Sequence, residues 1–413
     1  MAAGFRRLSQ IGRRGQVSPL PRPFWFIWAG TLVNRICYFV EPFLALYLAR
    51  SLRLQTPTIG LILTSFGVGS FVSQPLGGLA ADHIGRRRTL VTGMVATAAS
   101  YGFLVTARGD LVIAIAAFCA GLAIDLYRPA VSALIADLVD EDQRRRAYGL
   151  NYWALNLGVS VAGVLGGYFA SHSFHLLFAL DGATCLGFAV LIAKGVPELG
   201  VPSAPSGEGS GYGVALHDAL LLALTAATLL TATVYIQSFA TLPLAMRADH
   251  LSPFDYGIAY TVNPVAVIVL QPVAIRLLAR RSAPAVLIVS SLLVGAGFGL
   301  DAFAHSLLAY AATVLVWTLG EIGGSVVGPA LIADIAPAHQ RGRYNGVFSA
   351  AFGGAAILGP LVGTQVLGHL GRTTLWSGCV VLGALAALLT AAIGPTIKRR
   401  SKGATVPATA PAI

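Results

Sequence analysis

The chain has 413 residues, 56% of them hydrophobic and only 11% charged, and its mean hydropathy is +0.74. A soluble core of that length does not bury so much apolar surface, which excludes a water-soluble globular protein and assigns much of the surface to lipid. The formal net charge of +11 does not mark a nucleic-acid binder, because the basic residues sit in short clusters between apolar runs and form no single patch interleaved with aromatics.

Apolar stretches of roughly 20 or more residues recur along the whole chain, and in hydrocarbon only helices and closed barrels satisfy their backbone internally. These runs are too long and too unalternating for barrel strands. They predict helices over 24–49, 58–80, 89–108, 111–138, 147–170 and 174–193, then 217–245, 254–279, 283–304, 306–335, 341–369 and 373–396. Arg6, Arg7, Arg13, Arg14 and Arg22 precede the first run, which lacks a small-residue cleavage site and is long enough to span, so it is expected to be retained. That run contains Arg35, Tyr38, Glu41 and Phe43. The loop after the second run reads GGLAADHIGRRRTL from Gly77 to Leu90. The fourth run holds Asp125, Tyr127 and Arg128, with Asp137 at its end and Arg144, Arg145 and Arg146 beyond. Asp125 and Arg128 are three apart, share a helix face and are expected to neutralise one another in part. The fifth run contains GVSVAGVLGG, from Gly158 to Gly167, and the sixth contains Asp181.

Val196 to Gly213 is rich in Pro, Gly and Ser and reads as a flexible linker. The expected division is a bundle over 1–195, a linker over 196–215, a second bundle over 216–400 and a disordered tail over 401–413. Tyr235 and Gln237 lie in the seventh run, Asn263 in the eighth, and Trp317 and Glu321 in the tenth. Arg280 and Arg281, Arg341 and Arg343, and Lys398, Arg399 and Arg400 follow the eighth, tenth and twelfth runs. The alternate loops carry only Arg50, Arg53, Arg108, Arg247 and Arg372. By the positive-inside rule both termini are expected in the cytoplasm, with anionic lipid as a partner on that face.

One offset of 197 residues superposes the halves: Tyr38 on Tyr235, Gly60 on Gly257, Gln74-Pro75 on Gln271-Pro272, Ala136-Asp137 on Ala333-Asp334, Gln143-Arg144 on Gln340-Arg341, and Gly166 on Gly363. Two parallel six-helix repeats related by an axis along the membrane normal follow from such a duplication.

The Gly77 to Leu90 segment resembles the loop signature of the major facilitator superfamily, with Gly78, Asp82, Gly85, Arg86 and Arg87 at its key positions. Physically, Gly77 and Gly78 permit close helix approach, Gly85 a tight turn, and Asp82 a pairing with arginines of the neighbouring loop. The resemblance implies an all-α membrane fold of twelve helices in two pseudo-symmetric bundles. It also implies alternating access, a cytoplasmic gate that includes Asp137 and Arg144, and a cavity lined by the first, fourth, seventh and tenth helices. The Gly158 to Gly167 stretch is similar to the antiporter-associated signature, with Gly163 where that signature has proline. Tyr127-Arg128-Pro129 is similar to the conserved-arginine site of proton-coupled members. Asn34-Arg35, Tyr38-Phe39 and Leu46-Tyr47-Leu48 are similar to the first helix of proton-coupled oligopeptide transporters, with Thr31 and Asn34 where that family has glutamates.

Ionisable groups at mid-span usually face a cavity and are paired. One carboxylate among Glu41, Glu321 and Asp125 is accordingly expected to carry a proton, Glu41 and Glu321 ahead of Asp125 because Asp125 has Arg128 beside it. Arg35, Arg128, Tyr38, Phe43, Tyr127, Tyr235, Gln237, Asn263 and Trp317 are expected to line the substrate pocket. Structural salt bridges and aromatic packing are the competing reading of the same residues. The expected activity is proton-coupled export of small amphipathic molecules by a monomer in the plasma (inner) membrane. Peptide-like symport and a non-transporting receptor remain as alternatives. HExxH, GxSxG, GxxxxGK and histidine metal clusters are absent from the sequence, so neither enzyme activity nor a cofactor is expected. The four cysteines each lie inside an apolar run, which argues against a disulfide framework.

Overall fold

The computed structural model describes residues 19–198, 213–337 and 340–403. The expected linker and tail thus fall mostly outside the described residues, as do Arg6, Arg7, Arg13, Arg14 and His339. Within the described residues, Gly213–Leu216 forms one turn and the last helix continues through Gly403, while 196–198 is not helical.

Twelve helices among the described residues are long and apolar enough to cross a membrane. In chain order they are span 1 (Arg22–Arg50), span 2 (Thr56–His83), span 3 (Arg86–Thr106), span 4 (Asp110–Leu138), span 5 (Glu141–His172) and span 6 (Phe174–Gly195). The second six are span 7 (Ala219–Ala240), span 8 (Pro253–Leu278), span 9 (Ala283–Leu300), span 10 (Leu307–Ile335), span 11 (Arg341–His369) and span 12 (Arg372–Arg400). Span 5 starts earlier than its apolar run predicts, at Glu141, because Glu141 and Asp142 occupy a first turn whose exposed N–H groups favour negative charge. Span 8 opens on a capping box: Ser252 Oγ accepts from the Asp255 amide at 3.1 Å, and the Ser252 amide donates to Asp255 Oδ2 at 2.7 Å. Gly85 enters span 3 at φ +95, a backbone conformation that a side chain would strain.

Within the first half, spans 1, 5 and 6 pack together, as do spans 2, 3 and 4, with span 3 also against span 6. The second half repeats this with spans 7, 11 and 12, spans 8, 9 and 10, and a contact of span 9 with span 12. The halves meet through two equivalent crossings, span 2 on span 11 and span 5 on span 8. Glycines set both. A Cβ added at Gly60 would lie 1.7 Å from Thr364 Oγ1 and 3.0 Å from the Pro360 carbonyl oxygen, and one at Gly257 would lie 2.2 Å from the Gly163 carbonyl oxygen. Gly60 and Gly257, and Gly163 and Pro360, are equivalent under the 197-residue offset, so the duplication read in the sequence is the pseudo-symmetry of the bundle interface.

Three spans are broken near their middle. Span 1 leaves helical geometry at Cys37–Phe39, span 4 at Asp125–Tyr127, and span 7 at Ile236, with another turn at Thr241 before the short helix Leu242–Ala248. Pro129 and Pro243 occupy the first turn of the helices that follow, where the missing N–H costs no helical bond. Span 10 runs unbroken, with Gly323 and Gly324 at the positions equivalent to the span 4 break.

On the face opposite the termini, Val40–Ala49 are buried apart from half-buried Glu41, and they pack against Leu242–Ala248. Phe43 meets Tyr256 edge-on at 5.3 Å, and Arg50 donates to the Leu251 carbonyl at 3.2 Å. That face also carries a clamp inside the second bundle, where Arg372 bonds both Asp249 oxygens at 2.8 and 2.9 Å and the Tyr310 hydroxyl at 2.9 Å. The four cysteines are free.

Candidate functional site: the central cavity

A cavity of about 450 Å³ lies between the bundles at the level of the breaks. Its wall comes from Thr31 and Arg35 of span 1, Tyr127 and Arg128 of span 4, Asn151, Tyr152 and Asn156 of span 5, Tyr235 of span 7, Tyr260 and Asn263 of span 8, and Glu321 and Ser325 of span 10. From there the lining continues only toward the ends that bear the termini, through Val131 and Ser132 of span 4 and Val267 of span 8. With the opposite face sealed, the structure is open toward the terminal face.

The first-bundle wall is a chain of paired groups. Arg35 Nη2 donates to the Tyr127 hydroxyl at 2.5 Å, and its guanidinium lies 4.5 Å from the Tyr38 ring centre. Tyr38 donates to Glu41. Arg128 Nε is 2.7 Å from Asp125 Oδ1, and Ser70 donates to Asp125 Oδ2. Neither Tyr38 nor Glu41 lines the cavity: Tyr38 lies behind Arg35, and Glu41 one hydrogen bond further, on the sealed side. In the second bundle, Asn263 Nδ2 donates to Glu321 Oε2 at 2.5 Å and to Thr318 Oγ1 at 3.0 Å, and the Tyr235 hydroxyl reaches the same carboxylate. Among the described residues Glu321 has no ion-pair partner, so its charge is met only by neutral donors.

The structure corrects part of the expected pocket. Phe43 is buried in the seal against Tyr256. Gln237 is buried too, with its amide donating to the Thr233 and Gly359 carbonyls and its oxygen accepting from Thr241. Trp317 is buried, stacks on Phe298 at 5.3 Å and is not part of the central cavity wall. An inward-looking aromatic and a core aromatic share the same helical spacing, so the sequence does not separate them.

The loop motif is also placed differently. Gly77 makes the close approach, since a Cβ there would lie 2.5 Å from the Leu126 carbonyl oxygen at the span 4 break; Gly78 faces open space. Asp82 is exposed and holds no ion pair among the described residues, while Arg86 pairs with Asp137 and Arg87 with Glu198 at 3.0 Å, all inside the first bundle. Arg144 donates to the Val139 carbonyl at 3.2 Å rather than to a carboxylate. In this open arrangement the motif ties spans 3, 4 and 6 together and does not bridge the halves.

Two features are new. Asp181 of span 6 accepts from the Phe39 and Val40 amides at 2.9 and 3.0 Å through one oxygen, filling the backbone vacancy that the span 1 break creates. Its acidic character inside an apolar run is visible in the sequence; its target is not. Asn151, Tyr152 and Asn156 form a polar stripe of span 5 on the cavity, a signal present as amides in an otherwise apolar helix.

Two six-helix bundles around a cavity open on one face define a membrane solute carrier. The sequence profile of the Major Facilitator Superfamily matches residues 27–249 and again 224–411, and the chain belongs to that superfamily. It is 25% identical over 329 residues to the multidrug resistance protein MdtH of Aeromonas hydrophila, covering 78% of this chain and 82% of that one. It is 24% identical over 347 residues to a Na(+), Li(+), K(+)/H(+) antiporter of Planococcus maritimus, covering 76% and 81%. In fold it is similar to a mutant peptide transporter POT solved in complex with alafosfalin, with TM-score 0.79, 18% identity, and 92% and 96% of the two chains covered.

Proposed function

We propose that the chain is a proton-coupled exporter of small amphipathic organic molecules, carrying them through the central cavity by alternating access. The observation that carries this reading is Glu321, a carboxylate on the cavity wall without a cation beside it. An uncompensated charge in such a cavity is costly, so Glu321 holds either a proton or the cationic group of a solute, and that exclusion couples the two fluxes. Glu41, through Tyr38 and Arg35, and Asp125, through Arg128, give the first bundle carboxylates whose pairing changes when spans 1 and 4 move at their breaks. Arg35, Arg128, Tyr127, Tyr235 and Asn263 contact the solute, with Tyr38 behind them. The basic clusters support a terminal face in the cytoplasm of a plasma membrane, against anionic lipid, with the chain acting as a monomer. Export is supported by the relationship to a multidrug resistance protein.

In proteoliposomes with an imposed pH gradient, flux of a lipophilic cationic dye is expected to fall roughly 5- to 150-fold in Glu321→Gln, the size of a typical coupling free energy. A smaller fall is expected in Glu41→Gln. Flux that stays pH-driven in both variants overturns the proton assignment. A peptide-like solute is the second reading, favoured by Arg35 and Arg128 facing Glu321 across one cavity, an arrangement that fits a zwitterion. Dipeptide competition for dye flux supports it.

A further inference from the structure

A second cavity, of about 340 Å³, lies inside the second bundle between spans 7 and 10 and reaches back to spans 9 and 12. It meets the central cavity at Tyr235, Glu321 and Ser325, which line both. Its depth is apolar, with Leu224, Leu287, Val294 and Ile332 in the wall. Four of the six serine and threonine hydroxyls there are already engaged, and those of Thr228 and Ser290 remain free. Thr231 donates to the Ala227 carbonyl at 3.1 Å and lies 3.0 Å from Ser291 Oγ; Ser325 donates to Ile322 at 3.0 Å and Thr390 to Ala386 at 2.8 Å. Such a space offers a ligand dispersion and desolvation but few hydrogen bonds.

At the equivalent place in the first bundle aromatic side chains occupy the space. Gly324 borders the side cavity, and a Cβ there would meet nothing within 4 Å. Its equivalent at an offset of 197 is Tyr127, whose ring is buried, lies 6.2 Å from Phe188 and donates no room to a ligand. Phe188 in turn fills the position facing Gly30, the equivalent of Ala227. One copy of the repeat is plugged by aromatics and the other is left hollow beside a carboxylate.

We propose that this side pocket receives the apolar end of an amphipathic solute, an aryl or branched alkyl group, while its cationic end is held at Glu321. The inference rests on the transport reading above. It assigns solute length and apolar bulk to the second bundle alone.

The test uses a series of primary ammonium compounds with one head group and an apolar group growing from ethyl to naphthylmethyl, binding to the purified full chain in nanodiscs. In the native chain affinity is expected to rise about fourfold per methylene-sized increment buried. In Gly324→Tyr, which copies the plugged repeat, that slope is expected to flatten while the ethyl compound binds as before; Gly328→Leu, at a position where a Cβ touches only Phe348, is expected to act in the same direction. Melting temperatures of both variants within the native range show that the fold is intact. An unchanged slope in both variants overturns the side pocket. So does loss of a co-purified phospholipid from Gly324→Tyr with the slope unchanged, which would assign the space to an acyl chain. If the native chain shows the slope in binding but no pH-driven flux of any member, the transport reading falls and the pocket stands.

Discussion

A carboxylate, an amide pair and a helix break account for the best-defined polar contact in the first bundle. Asp181 Oδ2 takes two backbone donors that span 1 leaves unpaired, and hydrogen bonds to a charged group contribute about 1.5–3 kcal/mol each. Asp181→Ala is therefore expected to destabilise by about 3 kcal/mol, whereas Asp181→Asn, whose one carbonyl oxygen can accept both, should lose much less. Equal melting losses in the two variants would refute the capping role. Asp249, in the loop between spans 7 and 8, behaves differently because solvent is near. Burial opposes its charged form, but the hydrogen bonds from Tyr310 and His305 and the Arg372 guanidinium outweigh it and hold the carboxyl below the usual carboxylate range. A lowered native pKa stabilises the fold at neutral pH and loses that contribution as pH falls through the native value. Melting temperature should be flat near neutrality and decline below about pH 4, the unfolded aspartate value. Asp249→Asn should lower the plateau and blunt the decline. An acid limb identical to the native one would remove Asp249 as its cause.

Helices of this chain approach each other where glycine allows backbone contact, and both crossings between the bundles depend on it. At the crossing of spans 5 and 8, Gly163, Gly167 and Gly257 leave no space for a Cβ, and Gly163 replaces the proline of the signature it resembles without losing the close approach. The glycine-rich fifth span is thus a packing seam between halves, whatever else it does. Gly257→Leu is expected to force the crossing apart and abolish flux, while Gly102→Leu, where a Cβ meets nothing within 4 Å, should be tolerated. Normal transport in Gly257→Leu would show that the seam does not need to close. The breaks in spans 1, 4 and 7 were only partly legible. Pro42, Pro129 and Pro243 announce them, Pro42 by withholding an N–H from the Tyr38 carbonyl, but that the break in span 1 is held from span 6 is not readable locally.

At the scale of the molecule, the cavity opens toward the terminal face and is shut at the other by Val40–Ala49 against Leu242–Ala248. In a background with the four native cysteines replaced, a cysteine at Ser132 should react with a membrane-impermeant thiol reagent applied from the terminal side. A cysteine at Ala45 should be protected from either side. Rapid labelling at Ala45 without substrate or pH gradient would mean that the resting chain is not in this arrangement. Only a two-state rocking of the bundles about the glycine crossings would exchange the two accessibilities.

Hydrophobicity and the 197-residue repeat are properties of the chain taken a stretch at a time, and by themselves they determined twelve helices in two bundles, while the Gly77 to Leu90 loop carried the resemblance to the superfamily. Burial of apolar runs in lipid leaves the backbone only helix or closed barrel, and runs this long and unalternating fit only the helix. The site is another matter. Arg35, Glu41, Asp125, Arg128 and Glu321 stand out in the sequence because charge in an apolar run is rare. Which of them share a wall, which sits behind it, and that Phe43, Gln237 and Trp317 are sealed away depend on how each helix is rotated and where it breaks. Side chains from distant spans decide that rotation, with Asp181 holding span 1 and Tyr127 plugging one repeat where Gly324 leaves the other open. The halves already differ in sequence, with Tyr127 against Gly324 and Ile124 against Glu321; tertiary packing decided which of those differences face a cavity.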